Sequence, residues 1–294
     1  MMLFFSHNIR IYNTRVGSGK TTLTKQIQKS LSLSPHHLSL VCISIDDFYL
    51  TYEQQQRCAQ TNSTNPLLKY RGNPGTHDIQ LGYRILTKIL EPNENSEVAV
   101  QIPSYDKSLQ GGRGDRLPLS QWPVIHLPAD IVLLEGWCLG FKSLSIQDLK
   151  DMYSSHQGNN DLKKHIFRYH FHHLMKINDE LKQYEQFWYP FIDAFIHIIA
   201  NDIEWVYQWR LEAENTMKSQ TLISEMKNGM GTLTQKEVYD FVDRFMPMYE
   251  ICLPQLIQYG FFGNNRGGIP IDKIHRNLSI FIDFERNITK TILK

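Results

Sequence analysis

The sequence predicts an α/β fold built on a doubly wound, mostly parallel sheet. Short apolar runs alternate along the 294-residue chain with longer segments that have a helical spacing of apolar residues. Some of these runs, such as IVLL at 131–134, are apolar at every position, which is typical of strands covered on both faces. Strands that alternate with helices favour a parallel sheet.

Five apolar runs are predicted strands, at 38–45, 98–102, 130–136, 194–200 and 278–284. Helices are predicted between them, at 20–31, 78–91, 202–219 and 234–258. Residues 151–190 are polar, aromatic and rich in His and Lys, and we interpret them as an inserted helical element. The residues that follow the last strand are predicted to be a solvated tail. The sequence thus predicts a single domain over 1–294.

The overall composition excludes several classes of partner. The chain is 41% hydrophobic and 21% charged, with a net charge of +1, so it has no electrostatic reason to bind nucleic acid or a membrane. No apolar run reaches the roughly 20 residues of a membrane-spanning helix, and the first residues are too short an apolar stretch for a secretory signal. We expect a soluble cytoplasmic protein, with access to the nucleus and the oligomeric state left open.

Two groups of residues that bind metals in other proteins are predicted to be structural. The four cysteines have no C-x-x-C spacing and are predicted to be free, mostly buried thiols; they are Cys42, Cys58, Cys138 and Cys252. The segment HIFRYHFHHLMK at 165–176 has no histidines four residues apart and no familiar zinc spacing. We interpret this segment as a polar surface helix.

The segment TRVGSGKTTL at 14–23 resembles a phosphate-binding loop that leads into a helix. In such a loop, backbone N–H groups and the positive end of the helix bind phosphate. The lysine reaches the β- and γ-phosphates of ATP, and the following Thr ligates Mg²⁺. The alternative is a chance Gly/Ser turn before a basic helix. The predicted ATP-binding residues are Thr14, Arg15, Val16, Gly17, Ser18, Gly19, Lys20, Thr21 and Thr22.

The chain before this loop departs from the usual pattern, because Thr14 stands where the first glycine is expected. Residues 2–6 have the pattern of a buried first strand but lie too far from the loop. Residues 9–12 lie at the right distance, yet the alternation with Arg10 favours an exposed edge strand. Residues 7–15 are therefore interpreted either as an insertion or as the mark of an altered N-terminus.

Several longer motifs point to a family. SIDDFYL at 44–50 resembles the strand end of small-molecule kinases related to uridine kinase and phosphoribulokinase. Together, the ordered motifs resemble the D-glycerate 3-kinase family of plants and fungi over about residues 16–285; the others are RGNPGTHD, YDKSLQGGRGDR, LLEGWCLGF, VYQWRLEAE and FVDRFMPMY. The resemblance implies a P-loop kinase fold with a helical lid, Mg-ATP as phosphoryl donor, and a small anionic acceptor such as D-glycerate.

The resemblance also implies roles for three residues. Asp46 is the expected general base for the acceptor hydroxyl, although Asp46 and Asp47 are also well suited to capping the next helix. Glu135, which follows a buried run, is expected to share Mg²⁺ with Thr21. Arg210 is expected to stabilise the transferred phosphoryl group from a lid helix, or else to form a surface pair with Glu214.

Two loops between Asp46 and Glu135 supply the candidate acceptor-binding residues, since Arg and Lys recognise carboxylates directly. These are Arg71, His77, Asp78, Tyr105, Lys107, Arg113 and Arg116. Some of them are alternatively braces between the loops through Asp–Arg pairs that involve Asp78 or Asp115.

Two other functions stay open from the sequence alone. A nucleoside or another metabolite is the alternative acceptor, because Tyr49, Tyr70, Tyr105 or Trp137 could stack on a base. The chain could also bind nucleotide without catalysis. The presence of Lys20 together with Asp46 favours an enzyme, since a binding module needs no base.

Overall fold

A computed structural model describes residues 8–13, 20–33, 35–90, 99–155, 165–223, 234–263 and 269–294. The strands in this part of the chain are β1 (Asn8–Asn13), β2 (Leu40–Ser44), β3 (Ala99–Gln101), β4 (Tyr105–Asp106), β5 (Asp115–Arg116), β6 (Val124–His126), β7 (Ile131–Gly136), β8 (Ile192–Ala200), β9 (Asn277–Ile282) and β10 (Ile288–Leu293). The helices are α1 (Lys20–Ser32), α2 (Tyr52–Thr61), α3 (Ile79–Leu90), α4 (Leu109–Gly112), α5 (Ile146–Ser155), α6 (Phe171–Phe187), α7 (Trp205–Ile223), α8 (Gln235–Asp243) and α9 (Met246–Tyr259).

The main sheet has six strands in the order β10-β9-β8-β1-β7-β2. All of its neighbouring strands run parallel except β9 and β10, which form an antiparallel pair. The predicted α/β class with a mostly parallel sheet is confirmed. The strand predicted at 98–102 also forms, but as β3 in a separate two-stranded ribbon with β6.

The first strand is central, so the prediction of an edge strand at 9–12 is wrong. β1 pairs with β7 on one side and with β8 on the other. The prediction used the polar Arg10 as a sign of an exposed face, but the backbone pairing of a strand on both sides decides its position in a sheet. Residues 8–13 are therefore the strand that precedes the predicted phosphate loop. The alternative first strand at 2–6 lies outside the described residues.

The helix predicted over 234–258 is two helices, α8 and α9. Thr234 begins α8 with a capping box, in which its hydroxyl accepts from the N–H of Glu237 and the Glu237 side chain accepts from the N–H of Thr234. Pro247 lies in the first turn of α9. Proline suits the start of a helix and cannot continue a preceding one, so the chain turns between Asp243 and Met246.

Two further segments differ from the predictions. The predicted solvated tail forms β10, whose residues are mostly exposed on the edge of the sheet. The predicted polar surface helix at 165–176 is half-buried: His165 lies in a short 3₁₀ turn and is 4% exposed, and His173 in α6 is 5% exposed. Buried hydrogen-bonding groups explain this, because the Glu250 carboxylate lies 2.9 Å from Nδ1 of His165.

A large apolar core lies between the main sheet and the helices, and a smaller cluster contains Ile198, Trp209 and Ile282. The large core includes Val132 and Leu134 of β7, and α6 and α9 add many of its largest side chains, such as Tyr184, Tyr249 and Met248. The division of the chain into domains remains a prediction. No helix in the described part of the chain has the length and apolar content needed to cross a membrane.

All four cysteines are free, as predicted, but their burial differs. Cys138 and Cys252 are buried and Cys58 is half-buried. Cys42 is exposed on β2, the edge strand of the main sheet, although Leu40 and Ile43 of the same strand are buried. The expectation of burial from its apolar neighbours is therefore wrong for Cys42.

Candidate active site

The carboxyl ends of β1, β7 and β2 meet at one edge of the sheet. In the register of the sheet, Glu135 pairs with Tyr12 of β1 and with Ser44 of β2. β1 ends at Asn13, β7 at Gly136 and β2 at Ser44. Open α/β sheets bind ligands outside the carboxyl ends of their strands, where the strand order reverses. This edge is therefore the candidate active site.

The backbone around the predicted phosphate loop has the expected arrangement. β1 ends at Asn13 and α1 begins at Lys20, so the six positions 14–19 connect a central strand to the N-terminus of a helix. The predicted ATP-binding residues from Thr14 to Gly19 lie outside the described residues. Lys20, Thr21 and Thr22 form the first turn of α1, where a helix favours bound phosphate. The contacts of all nine with ATP remain predictions.

Asp46 lies in a 3₁₀ turn at Ile45–Phe48 that directly follows β2. Its Oδ2 atom lies 2.5 Å from Nζ of Lys107, and both side chains are partly exposed. The turn is capped by the hydroxyl of Ser44, which accepts from the N–H of Asp46, and α2 is capped by Thr51. Side chains other than those of Asp46 and Asp47 thus make the two caps.

Asp47 has a different environment from Asp46. Its Oδ1 atom accepts a hydrogen bond of 3.0 Å from the N–H of Tyr105, which ties the turn to the second acceptor loop. Burial raises the pKa of Asp47 to about 6, and the charges of Asp46 and Glu135 act in the same direction. Asp47 is thus bound to the backbone of the second acceptor loop, whereas Asp46 pairs with the half-exposed Lys107.

Glu135 is 8% exposed at the end of β7. Its charge acts on both Asp47 and Cys42, which places the carboxylate near the turn after β2. The chain packs closely here, because a Cβ on Gly136 would lie 2.4 Å from the Ile45 side chain. The predicted metal-binding carboxylate thus lies near Asp47.

Arg71 holds the second acceptor loop rather than standing free. Its Nη1 atom donates to the carbonyl of Gly112 at 3.0 Å and also to that of Arg113, and Nη2 donates to the carbonyl of Lys107 at 3.5 Å. The guanidinium also lies over the ring of Tyr105. Arg71 therefore positions the loop that carries Lys107.

Arg116 and Asp78 form the brace that the sequence left open as an alternative to substrate binding. Nη1 of Arg116 lies 3.2 Å from Oδ2 of Asp78, and Nη2 donates to the carbonyl of Tyr49 at 2.6 Å. Asp78 also caps α3 by accepting from the N–H of Leu81. In the same loop, Asp115 accepts from the N–H of Tyr52. The side chains of Arg116 and Asp78 are therefore both engaged by other groups of the protein.

His77 is buried beside Asp46 and is not a cation at neutral pH. Burial lowers its pKa to about 4. Its ring stacks on Tyr49 at 4.4 Å, and Nδ1 lies 2.6 Å from the hydroxyl of Tyr184. Nε2 has no hydrogen-bond partner among the described residues. A substrate contact of His77 would therefore be a neutral hydrogen bond.

Tyr49 has a different part in the site from the base stacking that the sequence suggested, and Tyr184 is a residue that the sequence did not indicate. Tyr49 is fully buried and hydrogen-bonded to the Asp46 side chain, and burial followed by the charge of Asp46 raises its pKa well above 10. Its protonated hydroxyl thus donates to the carboxylate. Tyr184 comes from α6, more than 100 residues away in the chain, and no local pattern could have identified it.

The aromatic residues proposed to stack on a base are mainly core residues. Trp137 is 2% exposed, donates from Nε1 to the carbonyl of Gly72 and packs edge-on against Phe245. Tyr49 and Tyr105 are also buried and pack against each other. This arrangement gives no support to a nucleoside as the acceptor.

Arg210 pairs with Glu214 one turn further along α7, as the alternative interpretation expected. The pair is not on the surface, since Glu214 is 3% exposed. The guanidinium also lies 5.0 Å from the ring centre of Phe241 in α8, and its Nε has no hydrogen-bond partner in the described part of the chain. A catalytic role for Arg210 stays a prediction.

The chain is similar to several kinases over most of its length. It is 34% identical over 271 residues to the chloroplastic D-glycerate 3-kinase of Arabidopsis thaliana, which covers 92% of this chain and 51% of that protein. It is 35% identical over 280 residues to the Saccharomyces cerevisiae protein named "Probable ATP-dependent kinase TDA10", covering 94% of this chain and 84% of that protein. This chain thus spans about half the length of the Arabidopsis relative.

A solved structure gives the same result at the level of the fold. The D-glycerate 3-kinase from Cryptococcus neoformans var. grubii superimposes with a TM-score of 0.83 at 32% identity, covering 98% of this chain and 90% of that chain. No protein-family model matches the chain. The two fungal proteins exceed 30% identity and are matched over more than two thirds of their length. The chain belongs to the D-glycerate 3-kinase family of ATP-dependent kinases.

Proposed function

We propose that this protein transfers the γ-phosphoryl group of Mg-ATP to a hydroxyl of D-glycerate. The observation that carries the proposal is the pair of Asp46 and Lys107, 2.5 Å apart at the sheet edge where β1, β7 and β2 end. A carboxylate and an ammonium at this point match the two groups of glycerate, a hydroxyl and a carboxylate. The names of two relatives, D-glycerate 3-kinases of a plant and a fungus, support this acceptor.

Asp46 is proposed as the general base, and the substrate releases it from Lys107. When the carboxylate of the acceptor binds the half-exposed ammonium of Lys107, Asp46 becomes available to accept the proton of the hydroxyl. Tyr49 orients the Asp46 carboxylate by hydrogen bonding. Phosphoryl transfer depends mainly on such positioning and on charge stabilisation.

The donor side is proposed to consist of the loop and helix start that follow β1. Residues 14–22 surround the phosphates, Lys20 binds the β- and γ-phosphates, and Arg210 stabilises the charge of the transferred group. The support is the strand–loop–helix order, in which six positions separate Asn13 from Lys20. Backbone N–H groups at a helix N-terminus favour phosphate.

Glu135 and Thr21 are the residues proposed to hold Mg²⁺. The donor set fits this ion, since Mg²⁺ prefers oxygen ligands and keeps several water and phosphate oxygens. Glu135 is a nearly buried carboxylate whose neighbours include Asp47, and a cation offsets that concentration of negative charge. Within the described chain no three carboxylate, His or Cys groups converge on one metal position, so phosphates would supply most of the ligands. The ion would neutralise the developing phosphate charge.

The proposal is tested by an ADP-release assay with purified protein, Mg-ATP and a panel of acceptors. We expect saturable activity with D-glycerate and none with uridine, cytidine, pantothenate or ribulose 5-phosphate. Asp46→Asn is expected to lower kcat by about 10²–10⁴-fold, the usual contribution of a general base. Asp47→Asn is the matched control, because an Asn oxygen can still accept from the N–H of Tyr105, and it is expected to keep most of the activity.

Three outcomes would contradict the proposal in different ways. Activity with a nucleoside but not with glycerate would change the acceptor. Binding of Mg-ATP without transfer to any acceptor would make the chain a nucleotide-binding module. An Asp46→Asn protein that is as active as Asp47→Asn would remove Asp46 as the base and leave the acceptor unaffected.

A further inference from the structure

A polar cavity lies beside the two acceptor loops, and we propose that it binds a small phosphate ester. The cavity has a volume of about 750 Å³. Its lining has no Asp or Glu, and all of the lining residues belong to the described part of the chain. The residues that give it its character are Lys69, Tyr70, Arg113, Arg168, His170 and His173.

The cavity holds an excess of positive charge. Lys69 and Arg113 are exposed and form no ion pair within the described chain. Arg168 pairs with Asp243 at 3.0 Å, but half of its side chain remains exposed. Arg and Lys side chains without acidic partners attract and bind anions, and guanidinium groups do so through paired hydrogen bonds.

A buried imidazole adds a second, independent observation. His173 lines the cavity and is 5% exposed. Neither of its ring nitrogens has a hydrogen-bond partner of good geometry among the described residues. The backbone of Thr64, which also lines the cavity, lies near the ring. Burial, assisted by the charges of His172 and His170, lowers the pKa of His173. A buried polar ring without a firm partner is costly, and a bound anion would accept a hydrogen bond from the N–H of the neutral imidazole.

The N-terminus of α6 borders the same cavity. His170 is the N-cap residue of this 17-residue helix, and its side chain makes no capping hydrogen bond. The first N–H groups of a helix and its dipole favour an anion at this end. Fixed cations, an imidazole and a helix end therefore converge on one space.

The size and position of the cavity indicate the class of ligand. Cavities of about 300–1,000 Å³ bind small organic molecules rather than single ions. The lining does not include Asp46, Lys107 or Glu135, so the ligand would lie apart from the reacting groups. The ligand would contact the second acceptor loop through Arg113, whose carbonyl accepts a hydrogen bond from Arg71. A doubly charged phosphate on a small polar body fits these features.

The test is isothermal titration calorimetry with glycerol 3-phosphate and with inorganic phosphate, in the presence of saturating Mg²⁺ and a non-hydrolysable ATP analogue. We expect wild-type protein to bind glycerol 3-phosphate, and Lys69→Gln/Arg168→Gln to weaken this binding at least about tenfold, because each lost contact is charge-assisted. The charge-matched control is Arg84→Gln/Lys88→Gln, two exposed positions of α3, which should change the affinity less than about twofold.

The proposal is overturned if wild-type protein binds neither probe at millimolar concentration, or if the cavity and control variants bind alike. Arg168 has an ion pair, so its replacement could disturb folding. A second variant, Lys69→Gln/His170→Gln, therefore replaces two exposed residues that form no ion pair in the described chain. It should also weaken the binding of glycerol 3-phosphate at least about tenfold. Binding of inorganic phosphate with equal strength to the ester would also contradict an organic ligand.

Discussion

The loop at 104–116 carries two arginines whose surroundings differ sharply. Arg116, on the inner side, is bound by Asp78 and by the carbonyl of Tyr49. Arg113, three residues earlier, is exposed on the cavity side and has no ion pair in the described chain. The two look alike in the sequence, where both count as candidate substrate-binding cations. The comparison teaches that an arginine near a site is a brace where acceptors from the protein surround it, and is available to a ligand where they do not.

Replacement of each arginine in turn tests this comparison, and it is expected to give the largest difference in stability between two matched variants. Arg116→Ala removes the donor to Oδ2 of the partly buried Asp78 and to the Tyr49 carbonyl, and we expect it to lower the free energy of unfolding by about 2–3 kcal/mol. Arg113→Ala removes an exposed side chain and should cost less than about 0.5 kcal/mol. Urea unfolding of the two variants measures the difference. Equal losses would show that Arg116 is not a brace.

Two glycines in the same loop sharpen the comparison at the level of the backbone. Both have positive φ, +78° for Gly114 and +65° for Gly111, so an alanine at either position is strained by about 1–2 kcal/mol. A Cβ on Gly114 would also lie 2.4 Å from the Tyr105 ring, whereas Gly111 has open space. Gly114→Ala should therefore lose about 1–2 kcal/mol more than Gly111→Ala in urea unfolding.

Such an extra loss at Gly114 should be accompanied by weaker acceptor binding, since the ring of Tyr105 packs against Arg71 and Tyr49. We expect a raised KM for the acceptor in Gly114→Ala and little change in Gly111→Ala. If Gly111→Ala instead lost more stability and had the higher KM, the close packing of Gly114 against Tyr105 would not be what limits the loop.

The pH dependence of the free energy of unfolding distinguishes His77 from Asp47, and the expected changes are the smallest of those predicted. The pKa of His77 is lowered from 6.5 to about 4, so the unfolded chain binds the proton first and stability falls as the pH falls from 6.5 to 4. The pKa of Asp47 is raised from 3.8 to about 6, so its contribution is present at low pH and is lost as the pH rises to 6. Between about pH 4 and 6 the two effects oppose each other.

Asp47→Asn removes one of these opposing terms. Relative to wild type, its free energy of unfolding should fall more steeply on acidification from pH 6 to 4, by up to about 1.4 kcal/mol per pH unit. The measurement is a series of urea curves between pH 4 and 7. His77→Asn should show a difference of the opposite sign, and a difference of the same sign in both variants would contradict the assignment of the two shifts.

Much of the fold was predictable because backbone hydrogen bonding and burial leave a local pattern. The runs at 130–136 and 194–200 are strands, and the helix predicted over 78–91 forms as α3. The predictions failed at two places, one where a single polar residue was given too much weight and one where an apolar repeat continued across a helix break. Arg10 suggested an edge for a strand that is central, and a long apolar repeat hid the break before Pro247.

The candidate site was predictable in part for the same reason. Asp46 and Glu135 end strands, and strand ends can be read from the sequence; their proximity follows from the parallel register. The partners of the Arg and Lys side chains in the two loops could not be predicted, because they depend on which carbonyls and carboxylates the fold brings to them. Arg71, for example, is satisfied by backbone oxygens about 40 residues away.

The sequence by itself determined the class of the fold, the strand–loop–helix order before Lys20 and the likeness to a kinase family, since these depend on periodicity, spacing and ordered motifs. Only the tertiary structure decided which of the neighbouring polar groups are occupied by the protein and which remain available. Asp46 meets Lys107 while Asp47 meets a backbone N–H, and Arg116 is enclosed while Arg113 faces a cavity. The physical reason is that partners distant in the chain satisfy hydrogen bonds and charges, and local sequence carries no record of them.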